Sequence, residues 1–185
     1  MSRLTPPVGA DDHALGPADA PVTLVEYGDY ECPHCGRAAP IVERVVRRFG
    51  DRLRFVFRNF PLTEMHPHAE HAAEAAESAG AHGGERGFWA MHHAIYAHQQ
   101  DGPDALGDAR LAEYAGELGL DGRAVLADVR AERSAERIQS DFMSGVRSGV
   151  NGTPTFFING RRFDEAWDDE GLSAAIERAG ARGQA

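Results

Sequence analysis

Cys32 and Cys35 are the only cysteines in the 185-residue chain, and they stand two residues apart in Cys32-Pro33-His34-Cys35. Two thiols at this spacing suit thiol–disulfide exchange. One attacks a disulfide as the thiolate, and the other closes a small ring on the mixed disulfide and expels the substrate before it escapes. A cysteine at the first turn of a helix ionises readily, because the free N–H groups and the positive end of the helix dipole face it. Cys32, expected to be the more exposed, is the nucleophile on this reading, and Cys35 resolves. His34 adds a donor or a positive charge close to the sulfur. Lowering a thiol pKa from about 8.5 to about 5 raises the thiolate fraction at pH 7 roughly 30-fold, but a Brønsted coefficient near 0.45 removes most of the kinetic gain. The redox poise does change: the reduced form gains about 2.7 kcal/mol, or roughly 60 mV, and the disulfide becomes more oxidising.

Two other uses of the pair stay open at this point: half of a zinc site, or an incidental spacing. A zinc site of four ligands wants a second close pair, and His66, His68, His71, His92 and His93 would have to supply it. Those histidines have a simpler reading. The group around Pro67 marks a helix start, and His92, His93 and His98 cannot all share one helix face. Phe88 and Trp89 read as core. No metal is expected.

The elements around the cysteines give the pair its setting. Residues 21–27 carry the alternating, β-branched and aromatic pattern of a buried strand. After the cysteines, Ile41, Val42, Val45, Val46 and Phe49 recur at helical spacing, Gly50 follows as a cap, and Pro40 is expected to kink the helix. A second strand is predicted over 53–60, closed by Pro61. Between 65 and 148 the chain is alanine-rich with helical periodicity, interrupted at Gly83-Gly84 and at Asp101-Gly102-Pro103. Strand character returns in 155–158, and Asn159-Gly160 is a two-residue hairpin turn leading into 161–163. A last helix carries Leu172, Ala175, Ile176 and Ala179. The order strand, helix, strand, helical block, hairpin, helix predicts a right-handed parallel βαβ unit, with antiparallel strands added to the same sheet.

Composition narrows the partners. With a formal charge of -10, the surface repels phosphate backbones and anionic lipid, so neither nucleic acid nor membrane is expected as a partner. All 19 basic residues are arginine, from which no function follows. No stretch approaches the roughly 20 apolar residues of a membrane helix. Residues 1–20 hold no apolar run resembling a signal-peptide core, which predicts a cytoplasmic location.

The stretch Val25-Glu26-Tyr27-Gly28-Asp29-Tyr30-Glu31-Cys32-Pro33-His34-Cys35, taken with Gly152-Thr153-Pro154-Thr155-Phe156-Phe157-Ile158-Asn159-Gly160, resembles the DsbA-type branch of the thioredoxin superfamily. The likeness spans about the whole chain, including His66-Pro67-His68-Ala69 and Phe88-Trp89-Ala90-Met91-His92. It implies an α/β, thioredoxin-like fold with a mixed central sheet and an inserted all-helical subdomain. The segments are a 1–20 extension, a first half over 21–64, a helical insertion over 65–148 and a second half over 149–185. It also implies that Cys32 attacks, Cys35 resolves and His34 tunes the thiolate. Thr153-Pro154 matches the family's cis-proline loop, and with Pro33 these residues would bind an extended substrate segment beside the sulfurs. Glu26 matches a buried acid beneath the cysteines, able to exchange a proton with Cys35. The alternative for Glu26 is an exposed strand residue, since glutamate is seldom fully buried. Asp29 and Glu31 read as solvated.

These observations predict dithiol–disulfide exchange that needs neither a metal nor a dissociable cofactor. The partners are thiol- or disulfide-containing protein substrates and a small-thiol or reductase redox partner. A reducing compartment would favour a reductase or redox-stress role, an oxidising one an oxidase role. The alternatives are a thiol-dependent transferase or isomerase on the same fold, and a non-catalytic, chaperone-like peptide-binding module.

Overall fold

The computed structural model describes residues 2–182. Its sheet has five strands in the order β1-β3-β2-β4-β5. The strands are β1 (His13–Leu15), β2 (Val22–Gly28), β3 (Leu53–Asn59), β4 (Thr155–Ile158) and β5 (Arg161–Phe163). β2 and β3 run parallel, with Val22 opposite Leu53 and Gly28 opposite Asn59, as a βαβ crossover requires. β4 lies antiparallel to β2 and pairs Tyr27 with Thr155, and the hairpin partner β5 completes that side. The fold is thus the mixed-sheet, thioredoxin-like α/β architecture expected. β1, which pairs antiparallel with β3, is the one strand the residue pattern did not announce.

Alternation along β2 sorts its side chains onto two faces. Val22 and Leu24 face one apolar cluster with Val42, Val45 and Phe57, while Val25 and Tyr27 face a second with Val56, Phe60 and Phe157. Helix α1 (Pro33–Phe49) covers the first face and buries Cys35, Ala38, Val42, Val45 and Phe49 at helical spacing. It runs through Pro40 as one helix, and at its end Gly50 takes a positive φ of 51°. Glu26 shares the parity of Val22 and Leu24, so it lies on the α1 face, between Phe57 and Phe156 on the neighbouring strands.

Helices α2 (Ala69–His98), α3 (Asp108–Glu117), α4 (Gly122–Arg130) and α5 (Ala135–Arg147) form the block between β3 and β4. The expected break at Gly83-Gly84 falls inside α2, where Gly84 has φ 64° and ψ -164° and turns the chain between two helical halves. Phe88 and Trp89 are buried, as expected of core residues. Helix α6 (Asp169–Arg182) packs beside α1.

Candidate active site

Cys32 is the residue at which α1 starts: its backbone is extended, with φ -66° and ψ 121°, and Pro33 opens the helix. Proline suits that place, because the N–H it lacks would have no helical partner. The Cys32 sulfur therefore stands where a capping oxygen stands on other helices, facing the N–H groups of His34 and Cys35. Cys32 and Cys35 are both free thiols and lie 4 Å apart. Cys32 is 4% exposed and Cys35 0%. The two thiols are driven in opposite directions. Hydrogen bonding from Cys35 lowers Cys32 to about 5 despite burial, with further help from the two backbone N–H groups. Burial pushes Cys35 well up, and the neighbouring Cys32 and Glu26 charges push the same way.

The antiparallel pairing of β4 with the end of β2 brings Gly152-Thr153-Pro154 against the head of α1. The Thr153–Pro154 peptide is cis. The Thr153 carbonyl oxygen lies 3.4 Å from Cys32 Sγ, accepting from the thiol, and the buried Thr153 hydroxyl has no hydrogen-bond partner among the described residues. Glu26 is 2% exposed, and burial, with the Cys32 charge second, raises its carboxyl to about 8. Its oxygens make no hydrogen bond to the protein among the described residues. The His34 ring is exposed, and its Nδ1 accepts from the Arg37 guanidinium at 2.7 Å. What His34 brings to the sulfur is thus its backbone N–H rather than its ring.

Asp29 corrects one expectation, because it is buried rather than solvated. Oδ1 accepts from the N–H of Glu31 at 2.8 Å and of Cys32 at 3.3 Å. Oδ2 accepts from the N–H of Leu62 and from His66 Nδ1, each at 2.8 Å. These donors take the place of water around the charge. Glu31 is half-buried, and its carboxylate accepts from the His68 N–H at 2.6 Å. The two acids tie the Cys32 loop to the 61–68 loop. Gln99 was also missed: its Nε2 donates to the carbonyls of Tyr30 at 2.7 Å and Cys32 at 2.9 Å. Gly36 leaves room for it, since a Cβ there would sit 1.9 Å from Gln99 Oε1. Asp29 follows Gly28 in what reads as a loop, and the donors to its Oδ2 come from residues 33 and 37 positions away; nothing in the sequence around Gln99 signals its role.

Among the described residues no group of three or more His, Cys, Asp or Glu side chains is arranged to hold a metal ion. Nor is any described helix long and apolar enough to cross a membrane.

The family model described as Thioredoxin matches residues 9–178. Oxidised BdbD of Bacillus subtilis superposes with a TM-score of 0.87 at 24% identity, over 98% of both chains, a likeness of fold. DsbA2 of Pseudomonas aeruginosa superposes at 0.73 with 29% identity, over 93% of this chain and 96% of its own. A curated relative, the Na(+)/H(+) antiporter NhaA 1 of Salinispora arenicola, is 46% identical over 174 residues, which is 94% of this chain and 26% of that protein. The chain spans about a quarter of the length of the curated relatives it matches.

Proposed function

Because the chain belongs to the thioredoxin family, in its DsbA-type branch, we propose that it exchanges a Cys32-Cys35 dithiol or disulfide with protein or small-thiol substrates. The observation that carries this reading is the opposed setting of the two thiols: Cys32 is held low at a helix head, and Cys35 is held high behind it. In the reducing direction, the Cys32 thiolate attacks one sulfur of a substrate disulfide, forming a mixed disulfide and releasing the first substrate thiolate. Cys35 then loses its proton and attacks the Cys32 sulfur. The bond from Cys32 to substrate breaks, the second thiol leaves, and the pair is oxidised by two electrons. The oxidising direction is the reverse, with Cys35 leaving as the thiolate that must regain a proton.

Glu26 is the proposed acid and base for that proton. With its carboxyl at about 8 it is mostly protonated at neutral pH and so poised to protonate a departing Cys35. Once Cys32 is locked in a mixed disulfide, its charge no longer opposes ionisation of Glu26, so more of it is carboxylate and able to accept a proton when Cys35 must lose one. Thr153, Pro154 and Pro33 form the proposed resting place of an extended substrate segment, since they border the nucleophilic sulfur. His34 tunes the thiolate through its backbone. The cysteine pair itself carries the electrons, with a small thiol or a reductase restoring it. Ion transport, named for the antiporter relatives, is not proposed here, because the match spans 26% of their length.

The test is insulin reduction and oxidative refolding of a reduced substrate by the wild type, Cys32→Ser and Cys35→Ser. Cys32→Ser abolishes both activities, and Cys35→Ser accumulates a mixed disulfide on Cys32. Full activity of Cys32→Ser overturns the reading.

A further inference from the structure

The exchange steps use no group of Gln99, yet this residue, at which α2 ends, reaches out of the helical insertion to the backbone of Cys32. It is buried, and the chain on either side of it is fixed. Tyr96 packs against Tyr30 with ring centroids 5.0 Å apart, while His98 stacks on Tyr114 at 4.8 Å and bonds Asp101 at 2.6 Å.

The amide of Gln99 is used at both ends. Its nitrogen carries two hydrogens and has two acceptors, the Tyr30 carbonyl at 2.7 Å and the Cys32 carbonyl at 2.9 Å. Oε1 accepts from Gln100 Nε2 at 2.9 Å and lies against Gly36. The glycine there answers a need for space, since a Cβ would meet Oε1 at 1.9 Å and Cδ at 2.8 Å. The Cys32 carbonyl already accepts from the Gly36 N–H at 3.1 Å, so Gln99 takes its second lone pair.

We infer that Gln99 is a positioning residue for Cys32: through this one amide the helical insertion holds the backbone of residues 30–32 so that the Cys32 sulfur faces the head of α1. The inference rests on the exchange reading above, and it gives the insertion a share in how oxidising the pair is. Gln99 neither touches the sulfur nor carries a proton. Its N–H groups offset the negative ends of two carbonyl dipoles close to the thiolate and fix the extended Cys32 backbone that turns Sγ toward the N–H groups of His34 and Cys35. Without the amide the segment relaxes and the thiolate loses part of that field. The reduced form is then less stabilised, and the disulfide becomes less oxidising.

The test uses the full chain and approaches the contact from both sides. Gln99→Leu keeps the bulk and removes the donors, whereas Gly36→Ala expels the amide while alanine itself favours the helix, so one variant remains if the other unfolds. Alkylation of Cys32 by iodoacetamide is followed against pH, and the pair is equilibrated with glutathione. Each variant moves the inflection of alkylation up by about half a unit, a threefold loss of thiolate stabilisation, and lowers the reduction potential by about 15 mV. The double variant shifts no further than either single one, because both remove the same contact. A glutamine with a purely structural role would lower the unfolding midpoint and leave inflection and potential at their wild-type values, and that result overturns the inference. Shifts that add in the double variant also overturn it, since Gly36 would then act apart from Gln99. A wild type with an ordinary thiol profile and no defined couple sinks the exchange reading itself, while a wild-type couple with unmoved variants sinks only the positioning role.

Discussion

Cys32 Sγ lies 3.4 Å from the carbonyl oxygen of Thr153, so the head of α1 meets a loop 121 residues away in the chain. Pairing of β4 with β2 sets this distance: with Tyr27 opposite Thr155, the residues before β4 must arrive where β2 gives way to the cysteines. Cys32, Cys35 and the Thr153–Pro154 segment are therefore held by sheet register rather than by flexible loops.

The Cys32 thiol is held at about 5 chiefly by the Cys35 hydrogen bond, so Cys35→Ala raises it toward the ordinary thiol range. Titration of the thiolate by its ultraviolet absorbance follows the shift directly. In the wild type the first transition falls near 5, and in Cys35→Ala it moves up by at least one unit, roughly a tenfold loss of thiolate stabilisation.

Glu26 carries a pH signature with a definite sign. Its folded value of about 8 lies above the ordinary 4.5, so the unfolded chain gives up the proton first. Stability is then greatest below that ordinary value and falls as the pH rises toward 8. Glu26→Gln removes the loss and is more stable than wild type at pH 7 by about 3 kcal/mol. It also resolves mixed disulfides more slowly, while the wild-type resolving rate climbs with pH and levels off below 8, because the Cys32 charge that helps to raise Glu26 is absent from the mixed disulfide. Denaturant unfolding at several pH values, together with resolution rates, checks both halves.

Asp29→Ala leaves the partly buried N–H groups of Glu31 and Leu62 without their acceptor, while the Cys32 N–H keeps the Asp29 carbonyl at 3.2 Å. The expected cost is about 3 kcal/mol of stability. His66→Ala removes only one of the four donors and costs about 1 kcal/mol. Urea unfolding ranks the two.

His13 anchors β1 with both ring nitrogens, bonding Glu77 at 3.0 Å and Glu85 at 2.7 Å while stacking on Phe88. Burial alone would lower its pKa, but the two carboxylates outweigh burial and raise the imidazole. The charged clasp is fully present below the ordinary value of 6.5 and is lost as the pH rises through the raised folded value. The stability gap between wild type and His13→Gln is therefore about 1 kcal/mol at pH 6 and shrinks as the solution is made alkaline. Thermal unfolding across that range reads the gap.

The central elements were legible because their residues repeat with the period of the element. β2, β3 and the β4–β5 hairpin show alternation and a turn pair, and Gly83-Gly84 marks the interruption of α2. The two cysteines were legible from the strand–turn–helix order, whereas the burial of Glu26 was implied by the family resemblance, its parity with Leu24 giving only the face. β1 was not, being three residues of an edge strand in a segment rich in proline and aspartate. Asp29 and Gln99 escaped for a different reason. Asp29 makes local bonds to the N–H groups of Glu31 and Cys32, but its burial comes from Leu62 and His66, and Gln99 reaches the carbonyl of Tyr30; no local pattern encodes a partner 33 or 69 residues away.

Equilibration of the full chain against a graded series of reduced and oxidised glutathione, with both thiols counted at each step, tests whether Cys32 and Cys35 act as one couple. The account predicts that both thiols disappear together in a single two-electron transition, with a slope of about 30 mV per tenfold change in the ratio. A pair that stays as two thiols throughout, or a stable glutathione adduct on Cys32 with Cys35 still free, contradicts it.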